Sequence, residues 1–291
     1  MSDPQFSILG SWRQLELSAL RGVLMVVGAP DTGKSTFARY LFERLREEGL
    51  SVAFLDGDPG QSTLGPPTTL TLAIAQAGER RFPPAGQLWR RFLGSVSPSG
   101  HMLPLLVGAA RLIQMGIERG ADVIVYDTCG LIDPQQGGMA LKLAKIDLLQ
   151  PQVVYALQVN EELEPLLQPL RRSQCTRIVD LASSPDVKQR LQAVRQAYRA
   201  ERFASYFKRA GFLKIGWRNL AVFPAPRFAL NRLVSLDDAH RFSLGIGLVQ
   251  DVNRQTQTVT LFTPLSSLEG VQSITLGDIS IDRETFRDSM I

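Results

Sequence analysis

Residues 28–36 read Gly-Ala-Pro-Asp-Thr-Gly-Lys-Ser-Thr, a glycine-rich loop of the form Gly-x4-Gly-Lys-Ser. The loop follows the apolar run 22–28 and precedes residues 34–48, where apolar side chains recur at helical spacing. Such a loop places a row of backbone amides at a helix N-terminus, where phosphate groups bind. Lys34 is then expected to reach the β- and γ-phosphates, and the Ser35 hydroxyl to bind Mg²⁺. The sequence therefore predicts a nucleoside-triphosphate site built from Gly28, Ala29, Pro30, Asp31, Thr32, Gly33, Lys34, Ser35 and Thr36.

Two carboxylates follow the second apolar run, residues 51–56. The chain continues as Asp56-Gly-Asp58-Pro-Gly-Gln61. Because ligands of open α/β sheets bind at the carboxyl ends of the strands, we expect these side chains beside the glycine-rich loop. One carboxylate can bind Mg²⁺ through water, and the other can accept a proton from an attacking hydroxyl. A polar turn without such a role is the alternative interpretation.

A third apolar run, residues 123–127, ends in Asp127 and is followed by Thr128-Cys-Gly130. An acidic residue at the end of an apolar strand is the usual Mg²⁺-associated element of phosphate-loop proteins. Candidate Mg²⁺ ligands are therefore Ser35, Asp56 and Asp127, and Thr128 and Gly130 are expected at the same edge of the sheet. A structural cap at Asp127 is the alternative, and which aspartate binds the ion directly stays open.

Strands and helices alternate through the first two thirds of the chain. Further strands are predicted at residues 152–157 and 176–180, and further helices at residues 103–118 and 139–148. The fold class is therefore α/β, a parallel sheet with helices on both faces. After Gly211 short apolar stretches alternate with turn residues, which predicts a β-rich module. We divide the chain into a short N-terminal segment (1–20), a phosphate-loop domain (21–211) and a C-terminal β-rich module (212–291).

The composition is that of a soluble globular protein: 44% of the 291 residues are hydrophobic and 21% are charged. The sequence shows neither an apolar run of the ~18–20 residues that span a bilayer nor a secretory signal, and two cysteines do not make a disulfide framework. A cytoplasmic protein without membrane contact is expected; its oligomeric state stays open. Between residues 171 and 214, eleven Lys and Arg residues face three Asp and Glu residues. This basic stretch favours a polyanionic second substrate, although a solvated helical face explains the charge equally well.

A helix is predicted to begin at Ser184-Pro185, with serine as N-cap and proline at the first position. Arg195, Arg199 and Arg202 then share one helical face. We predict a lid at about residues 183–210 that closes these guanidinium groups over a triphosphate. An ordinary surface helix is the alternative. The basic residues that follow, Lys208, Arg209 and Lys214, are candidates for contacting a nucleic-acid backbone.

Together these motifs resemble the polynucleotide 5′-hydroxyl kinase family, the P-loop RNA kinases of tRNA, rRNA and mRNA 3′-end processing. The phosphate loop, Asp56-Gly-Asp58-Pro-Gly-Gln61, the segment 92–100, Asp127-Thr128-Cys-Gly and Arg195-x-x-x-Arg199 follow in the family's order and cover about residues 21–210. Only about twenty residues precede the first strand, so the chain looks like a minimal, prokaryote-like member. Leu131 stands where many eukaryotic members have tryptophan, and Trp89 and Phe92 are possible substitutes for its stacking contact.

The resemblance implies an ATP- and Mg²⁺-dependent transfer of the γ-phosphate to the 5′-hydroxyl end of RNA or DNA. It implies that Lys34 contacts the γ-phosphoryl group and that Asp58 deprotonates the hydroxyl. Gln61 and Thr128 would position phosphate or substrate, and Arg195 and Arg199 would close on the phosphates. Preferences for RNA or DNA, for the nucleotide and for strandedness stay open.

The alternative is a nucleotide-switch ATPase or GTPase that acts on a protein partner. Against a GTPase, the sequence contains no Asn-Lys-x-Asp segment. Against the dimerising ATPases, Ala29-Pro30 stands where their phosphate loop carries an additional lysine. A kinase for a small metabolite is disfavoured by the basic stretch.

Overall fold

The computed structural model describes residues 10–183 and 190–291. The described residues form two compact units, between which the chain passes several times. The first unit comprises the described parts of Met1–Asp58, Thr71–Leu88 and Met102–Arg190. The second comprises Pro59–Leu70, Trp89–His101 and Leu191–Ile291. The domain boundary drawn at residue 211 remains a prediction.

The first sheet has seven strands in the order β4-β3-β2-β5-β1-β6-β7. The pairs β1–β5, β1–β6, β2–β5 and β6–β7 are parallel. Every residue of β2 and β5, and all but the first of β1, is buried, as in a sheet covered on both faces. The strands are β1 Gly22–Gly28, β2 Val52–Gly57, β3 Thr69–Ile74, β4 Leu88–Phe92, β5 Val123–Thr128, β6 Val153–Gln158 and β7 Arg177–Ala182.

The described residues of the first unit form five helices, and three of them begin within a residue of their predicted starts. They are α1 Gly10–Arg13, α2 Lys34–Glu47, α3 Met102–Glu118, α4 Gly138–Leu149 and α5 Glu164–Ser173. The α/β class with a parallel sheet is therefore confirmed. The pattern did not predict β3 and β4, because β3 pairs antiparallel with β2 and no helix of a strand–helix repeat precedes it.

The second unit contains a seven-stranded sheet with strands in the order β14-β13-β10-β11-β12-β8, and β9 pairs parallel with β13. This confirms the predicted C-terminal β-rich module. Apolar side chains of β10 alternate between two cores, Leu233 facing one and Val234 the other. Helix α6 contributes Phe203 and Phe207 to the Leu233 core. The elements are α6 Gln192–Phe207, β8 Gly211–Gly216, β9 Ala221–Phe223, β10 Arg232–Asp237, β11 Ser243–Asn253, β12 Thr258–Thr263, β13 Ser273–Ile281 and β14 Asp288–Met290, with a 3₁₀ turn at Trp217–Asn219.

The helix that carries the three arginines begins at Gln192, because the backbone of Leu191 is extended (φ −60°, ψ 152°). The start predicted at Ser184-Pro185 lies outside the described residues, as do the first nine residues of the N-terminal segment. Among the helices of the described ranges, none has the length and apolar character needed to cross a bilayer.

Candidate active site

The glycine-rich loop connects β1 to α2 and closes tightly on itself. Gly28 has no room for a side chain, since an added Cβ would lie 2.5 Å from the Leu157 carbonyl oxygen and 2.7 Å from Thr32 Oγ1. Gly33 directly precedes α2 in the left-handed conformation (φ 89°), which glycine adopts without steric cost. Thr32 Oγ1 donates a hydrogen bond to the Ala29 carbonyl at 3.0 Å. These glycines and this bond bring the loop round to the helix N-terminus, the geometry of an anion site.

Lys34 is the first residue of α2, and its side chain is buried at 6% exposure. Its Nζ donates to the Ala29 carbonyl oxygen, within the same loop. Burial lowers the pKa of Lys34, while the charge of Asp127 acts in the opposite direction. A bound phosphate group would give the Lys34 ammonium an anionic partner, whereas the Ala29 carbonyl is uncharged.

Asp56 and Asp127 are direct neighbours across β2 and β5, and Val26 of β1 pairs with Asp127 on its other side. Both carboxylates are almost completely buried, at 1% and 3% exposure. Burial raises the pKa of Asp127 to about 7, a hydrogen bond from Ser35 opposes the rise, and the charge of Asp56 adds to it. Asp127 Oδ1 has no hydrogen-bond partner in the part of the chain that the structure describes.

These observations fit a bound cation. Two adjacent buried carboxylates repel each other, and a divalent ion between them and the phosphates would supply the missing charge. The described residues hold no group of three or more His, Cys, Asp or Glu side chains arranged to bind a metal ion. Mg²⁺ needs no such group, because it takes one or two protein carboxylates and completes its shell with phosphate oxygens and water.

Asp58 follows β2 and differs from Asp56 and Asp127 in being only partly buried. Its backbone N–H points to Asp56 Oδ1 at 3.5 Å, the outer limit of a hydrogen bond. A substrate hydroxyl therefore reaches this carboxylate more readily than the two buried ones. The charge of Asp58 acts on the pKa of both Lys34 and Asp127, so it lies close to the two side chains.

The loop after β5 touches the phosphate loop at the backbone. A Cβ added to Gly130 would lie 2.8–2.9 Å from the N, Cα and Cγ atoms of Pro30, so only glycine fits there. The Thr128 hydroxyl donates to the Val26 carbonyl at 2.7 Å and accepts a hydrogen bond from Lys142 Nζ at 2.7 Å. Thr128 therefore donates its single hydroxyl proton within the fold, and its oxygen can act only as an acceptor towards a ligand.

The sequence motifs did not indicate two further functional candidates, Lys142 and Lys145 of α4. Both are completely buried. Lys142 Nζ donates to Thr128 Oγ1 and to the Cys129 carbonyl, and burial lowers its pKa to about 8. Lys145 Nζ lies 4.9 Å from the Tyr126 ring centroid and has no hydrogen-bond partner among the described residues. The available signal was two lysines about one turn apart in a helix whose other residues, apart from Asp147, are uncharged, because lysine is almost never fully buried without a reason.

The structure divides the predicted site residues between the two units. The first unit contains Lys34, Ser35, Asp56, Asp58, Asp127, Thr128 and Gly130, and the second contains Gln61, Arg195 and Arg199.

Arg199 makes a two-point ion pair with Asp288 of β14, with Nε–Oδ1 at 2.9 Å and Nη2–Oδ2 at 3.0 Å. Arg202 donates to the Thr63 and Gly65 carbonyls at 2.9 Å, and the Tyr198 hydroxyl to the Ser62 carbonyl at 2.8 Å. The arginine helix is therefore tied to the segment that follows Gln61. Phe92, a proposed substitute for the absent tryptophan, packs against the Leu233 core.

Comparison with known proteins finds similar chains in one family. A family model described as "mRNA cleavage and polyadenylation factor CLP1 P-loop" matches residues 28–209. The polyribonucleotide 5′-hydroxyl kinase of Pyrococcus furiosus is 25% identical over 315 residues, covering 89% of this chain and 87% of that protein. The enzyme of the same name from Thermococcus kodakarensis is 26% identical over 316 residues, covering 90% and 88%. Among solved structures, Clp1p in its complex with Pcf11p has a TM-score of 0.69 at 12% identity, covering 91% of this chain and 76% of that one. A likeness at that identity shows the fold.

Proposed function

The chain belongs to the Clp1 P-loop family, and from that premise we propose that it is a polynucleotide 5′-hydroxyl kinase acting on RNA, with ATP as phosphate donor. The family expected from the motifs is confirmed, and the nucleotide-switch alternative is not favoured. The observation that carries the proposal is the convergence of Lys34 and three aspartates at the carboxyl edge of β2 and β5 beside the glycine-rich loop.

The phosphate loop binds and orients the donor. Backbone amides at the N-terminus of α2 surround the β-phosphate, and the Lys34 ammonium leaves the Ala29 carbonyl for a γ-phosphate oxygen. Ser35 and Asp127, with Asp56 beside them, would hold Mg²⁺. When bound, that ion neutralises charge on the β- and γ-phosphates.

Asp58 acts as the general base. The 5′-hydroxyl oxygen attacks the γ-phosphorus, the bond from that phosphorus to the β–γ bridging oxygen breaks, and ADP leaves. The hydroxyl proton passes to the Asp58 carboxylate. Partial exposure suits Asp58 to this task, whereas Asp56 and Asp127 are buried within the sheet.

The remaining residues position the reacting groups. Gly130 lets the loop after β5 approach Pro30, and Lys142 anchors that loop through Thr128 and Cys129. Gln61 would orient the acceptor end. Arg195 and Arg199 would stabilise charge on the transferred group. Arg199 would have to exchange its Asp288 partner to do so.

The test uses γ-labelled ATP and Mg²⁺ with matched oligoribonucleotides and oligodeoxyribonucleotides, each carrying either a 5′-hydroxyl or a 5′-phosphate. We expect labelled 5′ ends only on the hydroxyl substrates. Phosphate release that proceeds at the same rate without an oligonucleotide, and without labelled product, would contradict the proposal and support a switch ATPase.

A further inference from the structure

The second unit presents an exposed aromatic side chain at the edge of its sheet. Phe212 of the edge strand β8 is 61% exposed, and its ring lies 5.6 Å from that of Phe262 on β12. The Arg283 guanidinium lies over both rings, 5.2 Å and 5.0 Å from their centroids. Lys214, two residues after Phe212, is on the same face of β8. We call Phe212, Lys214, Phe262 and Arg283 the Phe212 surface.

The rings beneath this surface are held rigidly. Phe262 stacks on Phe207 of α6 at 5.8 Å and 24°, and Phe207 stacks on Phe286 at 6.1 Å and 10°. Phe207 is 2% exposed and belongs to the Leu233 core. An exposed ring supported by a packed aromatic row is preorganised for stacking, because little side-chain entropy is lost when a ligand binds.

Four cationic residues lie close to Phe212 along the chain or contact its ring. Lys208, Arg209, Lys214 and Arg283 are exposed, and none of them forms an ion pair with another described residue. Asp282, next to Arg283, already accepts hydrogen bonds from Glu284 and Thr285. Asp251 of β11 lies in the register row of Lys214, with Thr260 of β12 between them. The surface is therefore cationic with an aromatic centre.

From these contacts we infer that the Phe212 surface binds the single-stranded acceptor RNA on the 3′ side of its 5′-hydroxyl end. Sites for single strands combine aromatic rings that stack on bases with cations that follow the phosphates, and arginine over a ring adds a second stacking plane. A protein partner fits less well, since lysine is depleted from protein–protein interfaces and the apolar area here is essentially one ring. The inference rests on the proposed function and assigns a role to the β-rich module.

The length of α6 gives the scale on which the length of the RNA should matter. From Arg195 to the end of α6 at Phe207, twelve residues at ~1.5 Å each span ~18 Å. At ~3.4 Å per stacked nucleotide, that distance corresponds to ~5 nucleotides. A strand whose 5′ end lies at Arg195 contacts Phe212 only if it is longer than that.

The experiment measures KM and kcat for 5′-hydroxyl oligoribonucleotides of 3 and 15 nucleotides, with binding of the 15-mer followed by fluorescence anisotropy. Phe212→Ala should raise the KM for the 15-mer roughly 5- to 150-fold, the effect of one lost stacking contact, with unchanged kcat. Its KM for the 3-mer should equal that of the wild type. Lys214→Ala should reduce the slope of log affinity against log salt by about 0.7, the value for one single-strand phosphate contact.

Phe223→Ala is the matched control, because Phe223 is 38% exposed under Arg241, at 4.3 Å, on strand β9. It should leave both KM values unchanged. An unchanged 15-mer KM in Phe212→Ala, or an equal rise in the two variants, would overturn the inference while leaving the kinase activity in place. If the wild type labels neither oligonucleotide, the proposed function itself fails.

Discussion

Replacing Lys142 by methionine should lower the activity of the protein without lowering the stability of its first unit. Burial lowers the pKa of this lysine from 10.5 to about 8, and that difference corresponds to about 3 kcal/mol of unfavourable charge burial at neutral pH. Methionine is unbranched and fills a similar volume without a charge. The change leaves the Cys129 carbonyl without this donor, which costs about 1–3 kcal/mol. We therefore expect the variant to be as stable as the wild type or more stable by up to about 2 kcal/mol at pH 7.

The same variant should lose catalytic rate. Without Lys142 the Thr128 hydroxyl loses the donor that holds it, and the loop against Pro30 loses an anchor. A misplacement of about 1 Å in a phosphate site lowers the rate constant by about 100-fold. We expect kcat to fall by about 10- to 100-fold, while the affinity for ATP changes less.

The pH dependence of stability tests whether burial of the Lys142 charge is the cause. Between pH 8 and 10.5 the unfolded wild type binds more protons at this lysine than the folded protein does, so its contribution to stability rises with pH. The advantage of Lys142→Met at pH 7 should therefore shrink by pH 10. Urea denaturation at pH 7 and pH 10 measures this difference in stability, and Lys208→Met, at an exposed position, is the control. A clear loss of stability at pH 7, with the same pH dependence as the wild type, would refute the reasoning.

Four further changes test the other assignments. Asp58→Asn should lower transfer by ~100-fold or more while ATP binding persists, and wild-type activity in this variant would move the base to another aspartate. Arg195→Lys should lower kcat at nearly constant ATP affinity. Arg199→Lys should do the same and should also unfold at a lower temperature, because it loses a partly buried two-point ion pair. A double variant with full activity would exclude the lid. Gly130→Ala should weaken ATP binding, because Pro30 leaves its Cβ no space, whereas Gly216→Ala, with open space around it, should match the wild type in a calorimetric titration.

The local pattern of the sequence determined the elements around the site. An apolar run, a glycine-rich loop and a helical repeat specify β1, the phosphate loop and α2 from neighbouring residues alone. The same holds for the strands that carry Asp56 and Asp127 near their carboxyl ends, since buried parallel strands are continuous apolar runs. Asp58 and Gly130 were singled out by spacing within motifs, although the reason for Gly130, its contact with Pro30, was not visible there.

The tertiary structure decided which of these residues meet and which others join them. Asp56 and Asp127 pair through strand register although they are 71 positions apart, and Arg199 and Asp288 pair across 89 positions. Lys142 and Lys145 look like surface residues until α4 is packed and both are completely buried. Register and burial arise from contacts between distant segments, and burial is what changes the chemistry of a charged group, because desolvation disfavours its ionised form. Local sequence therefore specified the loop that holds phosphate, whereas packing specified the charges around it.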